Sequence, residues 1–180
     1  MARCRFAQWE PIPGTTTGGS YRSGPFMIVH HTTEGHRYQG ARNAYVGNNS
    51  TPHFTVDATT TRQHIDTDQA ARALKNLPGG VETNRNSAIQ IEMVAFAGRP
   101  REPQTLSQVA RLCRWLEETH GVPQSWPNGF PRPPRNGRDA GGHNRNAVNW
   151  NTLVGTMATA TCQRTPTGIR PTLPKKRSSL

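Results

Sequence analysis

Apolar positions along the chain come in short runs, and each run has its own period. Phe26–His30 is a compact apolar run rich in β-formers, bounded by Pro25 and a polar loop, and it predicts a buried strand. His53–Asp57 alternates and predicts a second strand; Thr61–Ile65 is placed to pair with it as a hairpin. Ala88–Val94 alternates most regularly and predicts the central strand. Gly40–Tyr45 suggests a short helix ending near Gly47. The clearest helix spans about 105–119: Leu106, Val109, Ala110, Cys113 and Leu116 recur at helical spacing. Thr105 and Gln108 have capping-box spacing at its start, and Gly121 is placed to end it. Strands mixed with a helix predict an α/β chain with a mixed central β-sheet flanked by helices.

The remainder reads as loop. Residues 1–25 are polar and Gly-rich and are expected as an N-terminal arm. Residues 123–147 form a long Pro/Gly/Asn/Arg segment, of a kind that is usually functional or mobile in a compact domain. With 180 residues, 32% apolar, 17 glycines and 15 prolines, the chain has material for one domain with a modest core. No apolar stretch is long enough to span a membrane. The start lacks the apolar segment of a secretory signal, so synthesis in the cytoplasm is expected. Cys4, Cys113 and Cys162 form no paired motif and are expected as reduced thiols.

The net charge of +11 admits nucleic acid, anionic lipid or a wall polymer as partners. Its placement weakens the nucleic-acid reading. Arg164, Arg170, Lys175, Lys176 and Arg177 lie in residues 156–180, which contain no acid, and the chain shows no helix-turn-helix, zinc-finger or base-stacking motif.

Four features carry candidate chemistry. His30 and His31 close the first strand, where strand ends line binding crevices and an imidazole can hold zinc; a structural histidine pair is the plainer alternative. Glu92 sits within an apolar strand, where a carboxylate needs a polar cleft or a partner; a salt-bridged strand glutamate is the alternative. His53 and His64 lie on the hairpin as substrate-facing or supporting groups. His143 heads a polar loop reaching Asn151, suited to substrate contact.

Taken in order, His30-His31-Thr32-Thr33, Pro52-His53-Phe54-Thr55-Val56-Asp57, Gln63-His64-Ile65-Asp66 and Asn86–Val94 resemble the zinc-dependent N-acetylmuramoyl-L-alanine amidases. That family includes phage endolysins, bacterial wall amidases and peptidoglycan recognition proteins. The resemblance covers about residues 25–155, implying an amidase domain over 26–155. It implies His30 as the first Zn2+ ligand, with His31 packed beneath, and Glu92 as the catalytic carboxylate. His53 and His64 fall at non-ligand positions. The implied substrate is peptidoglycan or a muropeptide, cut between N-acetylmuramic acid and L-alanine. Zinc would polarise that amide and acidify a bound water, and Glu92 would take the water's proton to the leaving amine. The implied protein is a monomer with no nucleic-acid or membrane partner, acting on the wall after lysis or export. A peptidoglycan-binding module without hydrolysis is the alternative.

The family's two late ligands, a His after Gly and then an Asp or Cys before Pro, have no counterpart. No His follows His143 and no acid follows Asp139. The genetic code offers a reason. Codons can be chosen for Thr156–Thr172 that, with one base borrowed from the Gly155 codon, read His-Tyr-Gly-His-Cys-His-Val-Pro-Glu-Asn-Thr-His-Trp-Asp-Pro-Ala-Tyr. That reading contains both missing motifs. Residues 156–180 are therefore expected to be an irregular basic tail translated out of frame, leaving the site impaired.

Overall fold

The computed structural model describes residues 2–15, 17–73, 88–97, 99–126, 152 and 154–158. Its strands are β1 (Gln8–Trp9), β2 (Met27–Thr32), β3 (Phe54–Val56), β4 (Thr61–Gln63), β5 (Ala88–Met93) and β6 (Gly155–Ala158). Its helices are α1 (Tyr38–Asn48) and α2 (Pro103–His120). The strands form one sheet in the order β1-β4-β3-β5-β2-β6. Strand β5 runs parallel to both β2 and β3, β6 is parallel to β2, and β1 is parallel to β4. The β3–β4 pair is the antiparallel hairpin expected from the alternation. The sheet is mixed, as the sequence predicts.

Every residue of β2 and β5 is buried. Parallel strands covered on both faces read as apolar runs, which is why Met27–Val29 shows so little alternation. Register sorts the two faces. Ile28 pairs with Ile89, His30 with Ile91 and Thr32 with Met93, while Phe54 and Val56 pair with Ile91 and Met93. Ile28, Ile89, Ile91, Met93, Phe54 and Val56 join Val109, Leu112 and Leu116 of α2 in the main core. Each large side chain so buried stabilises the fold by about 1.5–3 kcal/mol. The opposite face is more polar and is covered by α1, whose Ala41 and Tyr45 pack with Ile12.

Helix α2 starts earlier than the capping-box reading placed it. Pro103 opens it, Glu102 is the N-cap, and no side chain caps it. Proline's fixed φ suits the first helical position, so Thr105 falls inside the helix, 3% exposed. The buried stripe is Thr105, Val109, Leu112 and Leu116. Ala110 is exposed, and Leu106 and Cys113 are half-buried. Leucines on adjacent flanks allowed either stripe, and packing on the sheet chose the one containing Leu112. Gly121 ends the helix as expected, at φ 66° with its N–H on the Glu117 carbonyl.

Two expected loops contribute to the sheet. The arm over 1–25 supplies β1, and Cys4 enters the main core. Gln63 stitches this arm down by accepting the Cys4 N–H (2.8 Å) and donating to the Ala2 carbonyl (3.1 Å). Thr156–Ala158, expected as the start of an irregular tail, pair with Ile28–His30 as part of β6. Both strands are too short to show a period, and their pairing is supplied by a distant partner's main chain. Gly155, at φ 120°, starts β6 so close to Ser125 that a Cβ would stand 2.4 Å from its Oγ. The rest of the expected tail, 159–180, lies outside the described residues.

Candidate functional site

Side chains alternate along a strand, so neighbouring histidines point to opposite faces of the sheet. His30 lies on the α2 face. Its Nε2 is 3.8 Å from Cys113 Sγ, and its ring stacks on Trp126 at 5.8 Å. His31 pairs in register with Glu92 on the other face, with Nδ1 4.0 Å from Glu92 Oε1. The expectation that His30 and Glu92 share one groove is therefore not met. His31, expected to pack beneath, is the imidazole beside the carboxylate.

Gln90, two positions before Glu92 on the same strand face, fixes the His31 ring. The distance from His31 Nε2 to Gln90 Oε1 is 2.6 Å. With that oxygen accepting, Nε2 carries the ring proton and Nδ1 presents a lone pair. His31 Nδ1 and Glu92 Oε2 are both buried and have no hydrogen-bond partner among the described residues. Buried polar atoms are nearly always paired, and this arrangement is what one ligand position of a metal site looks like. Among the described residues, no three His, Cys, Asp or Glu side chains converge as a metal site. Burial, against the Gln90 hydrogen bond, lowers the His31 pKa to about 4. Burial, and then the charge of Glu34, raises the Glu92 pKa well above the usual carboxylate range.

Around this pair runs a hydrogen-bonded frame that the sequence reading did not single out. Thr55 lies across from Glu92 on β3. Its hydroxyl contacts Tyr45 OH at 3.2 Å and His64 Nε2 at 2.9 Å, and His64 Nδ1 donates to the Glu10 carbonyl at 2.6 Å. His53 Nδ1 accepts the Gln90 N–H (2.9 Å), while its Nε2 meets the Gln69 carbonyl (2.7 Å) and Tyr21 OH (2.9 Å). His53 and His64 are 0% and 3% exposed. They are buried hydrogen-bond hubs, not groove-facing groups. Alternation could have found Gln90 and Thr55, since both share the Glu92 face. Glu34, in the left-handed region at φ 50°, accepts from Thr32 Oγ1 (2.6 Å) and the Ala97 N–H (2.8 Å). It thereby ties the loop after β2 to the loop after β5. His143 lies outside the described residues.

The frame has a pH signature. Burial lowers both His53 and His64 from the ordinary 6.5 to about 4, offset in part by their carbonyl partners. A depressed pKa means the unfolded chain binds protons first. The stability is fully present above about pH 6.5 and is lost as pH falls towards 4, on the order of 3 kcal/mol for each histidine. Melting temperature measured from pH 7.5 to 4 should fall steeply across that window. In His64→Gln the decline should be shallower; an unchanged slope would show that His64 does not titrate as described.

Comparison with known proteins agrees with the fold. The fold is shared with PlyL (20% identity, TM-score 0.50, covering 65% of this chain and 76% of that one). It is shared with the hydrolase AmiA of Staphylococcus aureus (15%, 0.55, 88% and 66%). It is shared too with the endolysin amidase LysCS of Clostridium intestinale URNW (16%, 0.52, 68% and 80%). No curated protein matches the chain by sequence. A family profile described as N-acetylmuramoyl-L-alanine amidase matches residues 21–158, a span that takes in β2 through β6 and both members of the His31–Glu92 pair. The chain belongs to the N-acetylmuramoyl-L-alanine amidase family.

Proposed function

We propose that the His31–Glu92 pair marks the point where the amide between N-acetylmuramic acid and L-alanine is cut in peptidoglycan. The carrying observation is the buried Nδ1 of His31, without a hydrogen-bond partner among the described residues, facing Glu92 across two parallel strands. On this reading His31, in place of His30, stands at the first zinc ligand, with Gln90 holding its ring from behind as supporting groups do in metal sites. Glu92 carries the proton. Burial raises its pKa, which makes the carboxylate a stronger base for the attacking water's proton and lets it pass that proton to the leaving amine. Bound zinc would supply polarisation of the scissile carbonyl and a more acidic water.

The donor set for that zinc is incomplete. His31 fits one ligand, and the late His and Asp or Cys of the family have no counterpart after His143 and Asp139. We attribute this to a one-base deletion near the Gly155 codon, which leaves the amidase domain over 26–155 followed by out-of-frame translation, whose first residues, 156–158, still supply main chain to β6. The wall substrate would be met as a monomer after lysis or export. Among the described residues no helix is long and apolar enough to cross a membrane.

The test is zinc content and wall cleavage, measured on this chain and on a version with the frame restored. The restored protein should bind stoichiometric zinc and release L-alanine-terminated peptides, and the chain as written should do neither well. Strong, chelator-sensitive cleavage by the chain as written would overturn the impairment. Gene codons that cannot encode Gly-His and Trp-Asp-Pro would overturn the deletion. The sequence's lack of a His after His143 and of an acid after Asp139 also favours a second reading, a peptidoglycan-binding module. Retention on walls by both versions, with no new amino termini, would select it.

A further inference from the structure

The N-terminal arm and helix α2 meet on the sheet face opposite Glu92, and their shared outer surface is basic. Cys4, Phe6 and Ala7 of the arm pack against the core that Val109, Leu112 and Leu116 of α2 complete. The Arg111 guanidinium lies 3.9 Å over the Phe6 ring, and that of Arg3 lies 3.8 Å over the Trp9 ring. Burial raises the Cys4 pKa while the charges of Arg111 and Arg5 oppose the rise, which places both guanidiniums near that thiol. Arg114 follows Arg111 by about one helical turn, and side chains so spaced are neighbours. Arg5, Arg111 and Arg114 are exposed, and none is in an ion pair among the described residues.

The acids nearby do not neutralise this face. Asp66 is held by Arg3 (3.1 Å), and Glu117 accepts from the Gln124 amide (2.7 Å). Glu118, four residues after Arg114, is the exposed acid of α2. Like charges gathered this closely repel one another and cost stability. A guanidinium stacked on a ring keeps its N–H donors in its own plane, open to an oxyanion. Guanidiniums spread over two elements in this way suit a flexible polyanion better than a single small ion.

The aromatic residues choose among polyanions. A lipid surface needs apolar side chains free to insert. The apolar stripe of α2 is buried on the sheet, and of the large apolar side chains of the arm and α2 only Trp9 is exposed. Single-stranded nucleic acid needs bare rings for its bases, and Phe6 and Trp9 each already carry a guanidinium. A polyol phosphate needs neither: its phosphodiesters accept charge-assisted hydrogen bonds from arginine, and its neutral linkers need no pocket. We propose that the Arg5, Arg111 and Arg114 face binds a phosphodiester-linked polyol polymer of the bacterial wall. The choice of a wall polymer rests on membership of a wall-cutting family, and not on which histidine meets zinc. Strand β1 stands three strands from β5, about 14 Å across the sheet. A polymer held there keeps the protein on the wall and leaves His31 and Glu92 uncovered.

The test titrates poly(glycerol phosphate), free of peptidoglycan, into the 180-residue chain, so binding is read with no cleavable bond present. Affinity for the parent chain should fall as salt rises, because each phosphate contact releases counterions. R5Q/R111Q/R114Q should weaken binding by at least about tenfold and flatten the salt dependence. Its melting temperature should change little, since the three side chains are exposed. R5K/R111K/R114K should keep much of the binding, and E118Q, which removes the exposed acid, should tighten it. R22Q/R37Q/R99Q makes the same charge change at exposed arginines elsewhere and should cost far less. An equal loss in that control would reduce the effect to net charge and overturn the site. So would undetectable binding, or tighter binding of poly-L-glutamate, phosphatidylglycerol vesicles or oligothymidylate at matched charge. A failed cleavage assignment would show instead as a frame-restored protein that binds this polymer but cleaves no wall.

Discussion

In the frame-restored protein, Glu92→Gln should reduce release of L-alanine amino termini by about two to four orders of magnitude. Zinc should stay bound. The reasoning begins with burial: Glu92 is 2% exposed, in the middle of the sheet, and nothing among the described residues bonds its Oε2. A carboxyl group in that setting has a raised pKa, so it can take the attacking water's proton and deliver it when the amine departs. Glutamine has the same shape and no charge, so packing beside His31, Gln90 and Thr55 is preserved. Its amide cannot transfer a proton in the same way. The substitution therefore separates chemistry from structure, and melting temperature should be equal or slightly higher. Cleavage within tenfold of the parent would remove Glu92 from the reaction. Loss of zinc along with activity would make it a structural partner of the metal site instead.

The second large effect contrasts the two histidines. His31→Ala in the restored protein should weaken zinc binding by more than about a hundredfold, since removal of a direct ligand exceeds the loss seen for supporting groups. His30→Ala should leave zinc affinity within a few-fold, because its ring faces Cys113 and Trp126 across the sheet from Glu92. It should instead lower stability by a few kcal/mol, as truncating a fully buried side chain does. Competition against a chromophoric chelator reads the first effect, and thermal melting reads the second. The opposite assignment of zinc loss would restore His30 as the ligand.

The histidine doublet also shows where the sequence stops informing. Alternation in Ile89-Gln90-Ile91-Glu92-Met93 made β5 legible as a strand with one polar face, and the hairpin of β3 and β4 followed from the same period. Period alone cannot say which of two adjacent histidines shares Glu92's face. That depends on register between strands separated by residues 33–87, set by packing on α2 and by the Thr33 N–H on the Met93 carbonyl. Strands β1 and β6 were invisible for a related reason, since main-chain pairing leaves no trace in a two- or four-residue sequence. Leu112 was missed because α2 offers leucines on neighbouring flanks, and only the sheet selects between them. The roles of His53 and His64 were hidden because a buried neutral imidazole and a substrate-facing one are spelled identically.

Strand β2 has one property whose importance lies in error tolerance. Its residues are buried on both faces, with Met27 and Val29 on one side and Ile28 on the other, so its own pattern resists a one-residue slip only weakly. In most active sites such a slip would turn the key side chain into the opposite layer. Here the doublet makes the strand degenerate in one direction: a slip that brings His30 opposite Glu92 replaces one imidazole by the other, whereas the opposite slip brings Thr32 there. On the proposed assignment, an imidazole beside Glu92 is buffered against a slip in that one direction, and a lineage in which β2 drifted that way would keep a nitrogen donor there without a new mutation.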